Sequence, residues 1–149
     1  MKYDNNNLHI SIVAFEKEPN TLKIDKNSKL EDIWCDDSVE FFLFTTANNT
    51  LRHGIFSTAN RYIVQTITPK KQTWGSWDKL KYTMTNKANQ RNSEITIPMD
   101  KEMKKEFRFN LVRSRKVKNL LKDEPYTWSD SEGIGNCFVT NSYGKITLK

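Results

Sequence analysis

The sequence is poor in the residues that build metal sites, disulfide frameworks and phosphate-binding loops. Its 149 residues include two cysteines, two histidines, five glycines and four prolines. Cys35 and Cys137 could pair as one disulfide, although two free buried thiols are the favoured interpretation, and His9 and His53 do not stand at zinc-ligand spacing. The few glycines form no phosphate-binding loop, and no nucleophile elbow or catalytic histidine set occurs. The sequence therefore predicts a protein that is not an enzyme.

Long hydrophobic runs are also missing. Hydrophobic residues make up 36% of the chain and mean hydropathy is -0.74, and no window approaches the roughly 18 apolar residues that a membrane helix requires. The N-terminus lacks the basic and apolar regions of a secretory signal. We therefore expect no membrane partner. The protein is either cytoplasmic or has had a signal removed, and these residues alone do not choose between the two.

Positive charge is in excess, but its arrangement does not indicate a nucleic-acid surface. The formal net charge is +6, with 18 lysines against 6 arginines and with 15 asparagines. Nucleic-acid interfaces favour arginine, and the densest basic segment, Lys101 to Lys122, is interrupted by Glu102 and Glu106. We expect no nucleic-acid partner, whereas an acidic polysaccharide would suit the charge.

Short alternating segments are what the sequence contains in abundance. Leu8 to Phe15 predicts a strand with its even-numbered residues inward, and residues 46 to 50 predict the turn of a hairpin. Phe107 to Arg113 predicts a strand with Phe107, Phe109 and Leu111 on one face. About 8 to 10 such strands without helical periodicity predict an all-β fold, an antiparallel β-sandwich of jelly-roll type, formed by a single domain over residues 1 to 149.

Two tryptophans stand in an irregular segment between Pro69 and Lys79. Trp74 and Trp77 lie among charged and small residues, and exposed tryptophans in such segments often mark a contact surface. For either one alone, covering the end of the sandwich is the commoner role.

The most informative stretch runs from Ile33 to Phe44. Its second half alternates, so that Val39, Phe41 and Leu43 share one face while Glu40, Phe42 and Phe44 share the other. The Asp36-Asp37-Ser38 turn can fold Trp34 over the face that carries Glu40. A flat ring beside a carboxylate on a rigid strand suits a polyhydroxylated ligand, although Trp34 could equally fill the core and Glu40 could pair with a nearby arginine.

Four segments together resemble the family 9 carbohydrate-binding modules and their relatives. The segments, in chain order, are WCDDSVEFFL at 34 to 43, EITIP at 94 to 98, FRFNLVR at 107 to 113, and WSD at 128 to 130 followed by YGKITL at 143 to 148. The match runs from about Leu8 to the C-terminus, and the first segment is the most specific of the four.

The resemblance implies a jelly-roll-like β-sandwich that binds the ends of polysaccharide chains between two tryptophan rings, with polar side chains that form hydrogen bonds to the sugar hydroxyl groups. Trp34 and Glu40 stand at matching positions. The other sugar-binding positions of the family are not matched in this sequence. Cys137 and Phe138 stand in place of the second tryptophan, and residues 55 to 58 lack the ligand-binding arginine. The predicted carbohydrate-binding residues, on this basis, are Trp34, Glu40, Asn110, Arg113, Trp128 and Phe138.

The resemblance also carries expectations about partners and location. It implies a bacterial, secreted or periplasmic protein whose partner is an oligosaccharide or polysaccharide. It also suggests a monomer, either preceded by another domain or lacking an N-terminal strand. No cofactor is expected, and a structural calcium ion is compatible with the family. Two alternatives remain: a packing domain without sugar affinity, and a haem-binding relative that would use His53, Met84 or Met99 as axial ligands.

Overall fold

The computed structural model describes residues 1–4, 6–27, 29–87, 89–103, 106–118, 124–128 and 140–147. Within these ranges the chain forms eleven strands and three short 3-10 helices. The strands are β1 (Lys2–Tyr3), β2 (Asn7–Phe15), β3 (Ser38–Thr45), β4 (Thr50–Ser57), β5 (Arg61–Ile67), β6 (Gln72–Gly75), β7 (Lys81–Lys87), β8 (Gln90–Pro98), β9 (Glu106–Arg115), β10 (Glu124–Thr127) and β11 (Gly144–Thr147). The helices are η1 (Pro19–Thr21), η2 (Leu30–Cys35) and η3 (Thr140–Ser142). None of them is long and apolar enough to cross a membrane.

The strands form two antiparallel sheets. The smaller sheet has the order β1-β2-β8-β7, and the larger has the order β10-β9-β3-β4-β5-β6, with β11 also pairing with β9. The predicted hairpin joins β3 to β4, with Thr45 opposite Thr50. The β-sandwich prediction is confirmed, and β3 lies at the centre of the larger sheet, between β9 and β4.

The core fills the space between the two sheets. It contains Phe41 and Leu43 of β3 with Phe107 and Phe109 of β9, packed against side chains of β2 and β8 such as Ile10. These residues occupy the faces that the alternation predicts, since Leu8 and Ile10 are buried while Val13 is about half exposed. Because alternate residues of β3 fill the core, the other residues of β3 are presented on the outward face of the larger sheet.

Gly54 lies opposite Phe41 in the β3–β4 pairing, and the packing there leaves no room for a side chain. A Cβ atom on Gly54 would stand 2.6 Å from Phe41 Cε1 and 2.8 Å from Phe56 Cε2. We expect Gly54→Ala to destabilise the protein by about 1–3 kcal/mol through overpacking. Gly75→Ala is the matched control, because a Cβ atom there meets nothing within 4 Å. Thermal unfolding of both variants measures the effect, and equal melting temperatures would contradict the close packing at Gly54.

A buried ionic network joins the two sheets near the end of β2. Arg115 donates to Glu16 through Nε at 2.9 Å and Nη2 at 3.1 Å, and Arg113 Nη2 donates to Glu16 and to Asp37 at 3.2 Å each. Arg91 lies on the other side of Asp37 at 3.9 Å. Hydrogen bonds from Arg115 hold the pKa of Glu16 down at about 2, whereas burial raises the pKa of Asp37 despite the attraction of Arg113. The second aspartate of the WCDDSVEFFL segment is therefore part of the fold's ionic network.

Candidate functional site

A row of side chains crosses the outward face of the larger sheet. Starting from Phe42 on β3, the register places Asn110 of β9 on one side and His53 of β4 on the other. The row continues through Gln65 of β5 to Trp74 of β6 at the sheet edge. Five strands thus contribute one residue each to a single line across this face.

Short segments cover parts of this face. Helix η2 places Ile33 against Ile55 and Ile63 of the sheet, forming a small apolar cluster. A second cluster is formed by Phe42, Leu51, Val112 and Tyr143. Because Ile33 anchors η2 to the sheet, the adjacent Trp34 is held near the residues of the row.

A recess of about 400 Å³ opens on this face. It is lined by Trp34, Glu40, His53, Ile55, Gln65, Trp74, Ser114 and Lys116. The lining combines two aromatic rings with a carboxylate, an imidazole, an amide, a hydroxyl and an ammonium group. Such a combination of flat apolar surfaces and converging hydrogen-bonding groups is typical of a small-molecule binding site.

The two tryptophans of the recess are exposed rather than buried in the core. Trp34 is 55% exposed and Trp74 is 50% exposed. Lys116 Nζ lies 5.6 Å from the centre of the Trp34 ring. The alternative in which Trp34 fills the core is therefore excluded. Trp77, in contrast, packs against the core with its ring 6.4 Å from that of Phe41.

Glu40 is held in one orientation by its neighbours. His53 Nε2 lies 2.7 Å from Glu40 Oε2, and the Ser114 hydroxyl donates to Glu40 Oε1 at 2.7 Å. Burial by itself would raise the pKa of Glu40, but the hydrogen bonds from His53 and Ser114 and the charge of Lys116 hold it below its usual value. Glu40 is consequently an ionised acceptor at neutral pH, and the described residues that bond to it are His53, Ser114 and Ser38, none of which is an arginine.

His53 and Gln65 complete the polar floor of the recess. The His53 ring stacks on Phe42, with ring centres 4.2 Å apart. Gln65 is 5% exposed, and its Oε1 atom is buried without a hydrogen-bond partner among the described residues. Leaving a buried amide oxygen unpaired costs free energy.

The structure brings together two of the six residues that the sequence predicts for the site. Trp34 and Glu40 line the recess. Asn110 lies on the same face but is fully buried, and its Oδ1 accepts from the Leu111 amide. Arg113 lies on the opposite face, in the ionic network.

Trp128 lies away from the recess, and Phe138 is outside the described residues. The Trp128 ring packs edge-on against Phe109 and lines a separate groove with residues of β2 and β10. Cys137 is also outside the described residues, and Cys35 is a half-buried free thiol.

The sequence prediction missed His53, Gln65, Trp74, Ser114 and Lys116. A signal existed for two of them. Trp74 belongs to the segment between Pro69 and Lys79, for which a contact surface was one of two interpretations, and His53 lies opposite Phe42 once the hairpin turn fixes the β3–β4 register. Gln65 carries no distinguishing signal, because its position depends on the pairing of β4 with β5.

The described residues contain no group of three or more His, Cys, Asp and Glu side chains that could hold a metal ion. His53 lies on the larger sheet and is bonded to Glu40, whereas Met84 lies on β7 of the smaller sheet. His53 and Met84 therefore lie on different sheets.

Comparison with known proteins identifies similar solved structures. No protein-family model and no curated protein sequence matches the chain. A family 9 carbohydrate-binding module from Caldicellulosiruptor kristjanssonii in complex with glucose superposes with a TM-score of 0.67 at 15% identity, covering 99% of this chain and 73% of that one. A family 9 carbohydrate-binding module from the same organism in complex with cellotriose superposes with a TM-score of 0.67 at 16% identity, covering 99% of this chain and 71% of that one. A candidate carbohydrate-binding protein from Bacteroides uniformis ATCC 8492 superposes with a TM-score of 0.64 at 14% identity, covering 96% of this chain and 72% of that one. At these identities the likeness is one of fold, and this chain has the fold of the family 9 carbohydrate-binding modules.

Proposed function

We propose that this protein is a non-catalytic carbohydrate-binding domain whose ligand lies in the recess of Trp34. The observation that carries the proposal is an exposed indole ring that lines the same recess as a partly buried, ionised carboxylate, which its neighbours hold in place. The ring can stack on the apolar face of a pyranose, and the Glu40 oxygens can accept hydroxyl hydrogens. Solved structures of similar fold hold glucose and cellotriose, which supports the same ligand class.

The lining of the recess favours binding over hydrolysis. Glycoside hydrolysis by the usual route needs two carboxyl groups placed on either side of the scissile bond. Among the described residues that line the recess, Glu40 is the only carboxylic acid. Glu40 is also ionised and bonded to His53, so it is an acceptor rather than a proton donor to a leaving group. These features support a module that holds a sugar without cleaving it.

The alternative is a packing domain that shares the fold and has no sugar affinity. The two interpretations differ in one measurement, isothermal titration calorimetry of the protein with glucose, cellotriose, xylotriose and an oligouronate. Carbohydrate binding predicts saturable heat with at least one of these sugars and little dependence on salt for a neutral one. A flat titration with every sugar in the panel would favour the packing domain.

Glu40→Gln tests the role of the carboxylate. The substitution keeps the shape of the side chain but removes its charge and one acceptor, so we expect affinity to fall by roughly tenfold, since a hydrogen bond to a charged group contributes about 1.5–3 kcal/mol. Calorimetry measures the loss. Glu94→Gln is the control, because Glu94 is an exposed carboxylate on β8 of the smaller sheet and bonds Ser11. Equal affinities of the Glu40 and Glu94 variants would contradict the assigned role.

A further inference from the structure

The polar and aromatic groups of the recess fall into two sets. Trp34, Lys116, Ser114 and Glu40 form one set, joined by the hydrogen bond from Ser114 and by the position of Lys116 over the indole. Gln65 and Trp74 form the other, as direct cross-strand partners on β5 and β6. The strands of Glu40 and Gln65 are two apart, which separates their backbones by roughly 10 Å.

Each set has the parts that a sugar ring requires. In the second set the Trp74 ring is half exposed and has no ring partner among the described residues. Beside it lies the buried Gln65 side chain, whose Oε1 atom has no hydrogen-bond partner among the described residues. Cross-strand neighbours stand about 4.5–5.5 Å apart at Cβ, so one pyranose stacked on Trp74 can place a hydroxyl within reach of Gln65.

We infer that the recess binds a chain of at least two linked sugars, with one unit on Trp34 and Glu40 and a later unit on Trp74 and Gln65. The inference rests on the proposed function and extends it to the length of the ligand. His53 stands between the two sets, since it bonds Glu40 and lies opposite Gln65 in the β4–β5 register. The chain accordingly crosses the strands of the sheet, and affinity increases with the number of sugar units.

The test is a length series on three proteins. Wild type, Trp74→Ala and Gln65→Leu are titrated with glucose, cellobiose and cellotriose, and with xylose, xylobiose and xylotriose. In the series that binds, wild-type affinity is expected to rise by roughly tenfold or more from the monosaccharide to the trisaccharide. Both substitutions are expected to remove most of that rise, so that they weaken trisaccharide binding much more than monosaccharide binding.

Phe15→Ala is the control for loss of an exposed aromatic ring, because Phe15 is 78% exposed on β2 of the smaller sheet. Melting temperatures of all variants establish that they are folded. An equal loss for monosaccharide and trisaccharide in Trp74→Ala would place Trp74 in a single shared subsite and overturn the inference. Unchanged affinity for both sugars would overturn it as well. If wild type binds neither series, the proposed function fails for these sugars and the length inference fails with it.

Discussion

Replacing Trp34 with alanine is expected to abolish detectable carbohydrate binding while leaving the melting temperature nearly unchanged. The indole is 55% exposed and its one ring contact among the described residues is with Lys116. Surface substitutions of this kind usually change stability by less than about 0.5 kcal/mol. Truncating a tryptophan that supplies the stacking surface of a binding site commonly costs about 2 kcal/mol or more of binding free energy, which is roughly a thirtyfold loss of affinity.

Trp77→Ala is the matched comparison for Trp34→Ala. The Trp77 ring packs against Phe41 and lies 4.7 Å from the Arg52 guanidinium, so its removal should lower the melting temperature. Calorimetric titration and thermal unfolding of both variants separate the two effects. A large stability loss in Trp34→Ala, or sugar affinity equal to that of wild type, would count against Trp34 as the stacking surface.

Replacing Glu16 with glutamine is expected to cause the largest loss of stability at neutral pH, about 3 kcal/mol. Glu16 is 3% exposed and accepts hydrogen bonds from Arg113 and Arg115. Removing one partner of a buried ion pair leaves the other without its counter-charge and typically costs about 3–5 kcal/mol. The lowered pKa of Glu16 predicts a loss of stability of similar size. A carboxyl group whose pKa falls from 4.5 in the unfolded state to about 2 in the folded state stabilises the fold by about 3 kcal/mol when it is ionised.

The pH dependence gives this prediction a distinctive signature. A carboxyl whose pKa is lower in the folded state stabilises the protein above its unfolded pKa, and this contribution disappears as the pH falls through the folded pKa. Wild type should therefore lose about 3 kcal/mol from Glu16 between pH 4.5 and about 2, and Glu16→Gln should lack this part of the acid-induced decrease.

Urea unfolding at a series of pH values measures the difference. Glu18→Gln, at an exposed carboxyl two residues along the chain, is the control that removes the same charge. Parallel stability curves for wild type and Glu16→Gln across this range would show that Glu16 is not held by Arg115 as described.

Local periodicity accounts for most of what the sequence predicted correctly. The alternation of β3 fixes which residues enter the core, and the turn before it fixes the position of Trp34 over the face of Glu40. The same alternation explains why Arg113 is absent from the recess. Arg113 lies at an alternate position of β9 from Leu111 and Phe109, so its side chain is on the same face of the strand. It therefore points toward the smaller sheet and contacts Glu16.

The remainder of the site depends on pairings between distant segments. Gln65 and Trp74 reach the recess because β5 pairs with β4 and β6 pairs with β5, and neither residue belongs to a recognisable motif. Ser114 and Lys116 approach Glu40 because β9 pairs with β3 across more than sixty residues of chain. The pattern within one strand does not show which strand lies beside it, so only the structure could place these four residues together in the recess.

The division of each central strand between two faces has a consequence for how such a protein can diversify. Phe41 and Leu43 are fully buried in the core, whereas their neighbour Glu40 belongs to the recess, as do His53, Gln65 and Trp74 on the adjoining strands. Substitutions at Trp34 and Trp74, whose rings are about half exposed, change the ligand surface while leaving the core between the sheets intact. A library randomised at Trp34, Trp74 and Lys116 would therefore retain a high proportion of folded members, and this face of the domain is suited to directed evolution of new ligand surfaces.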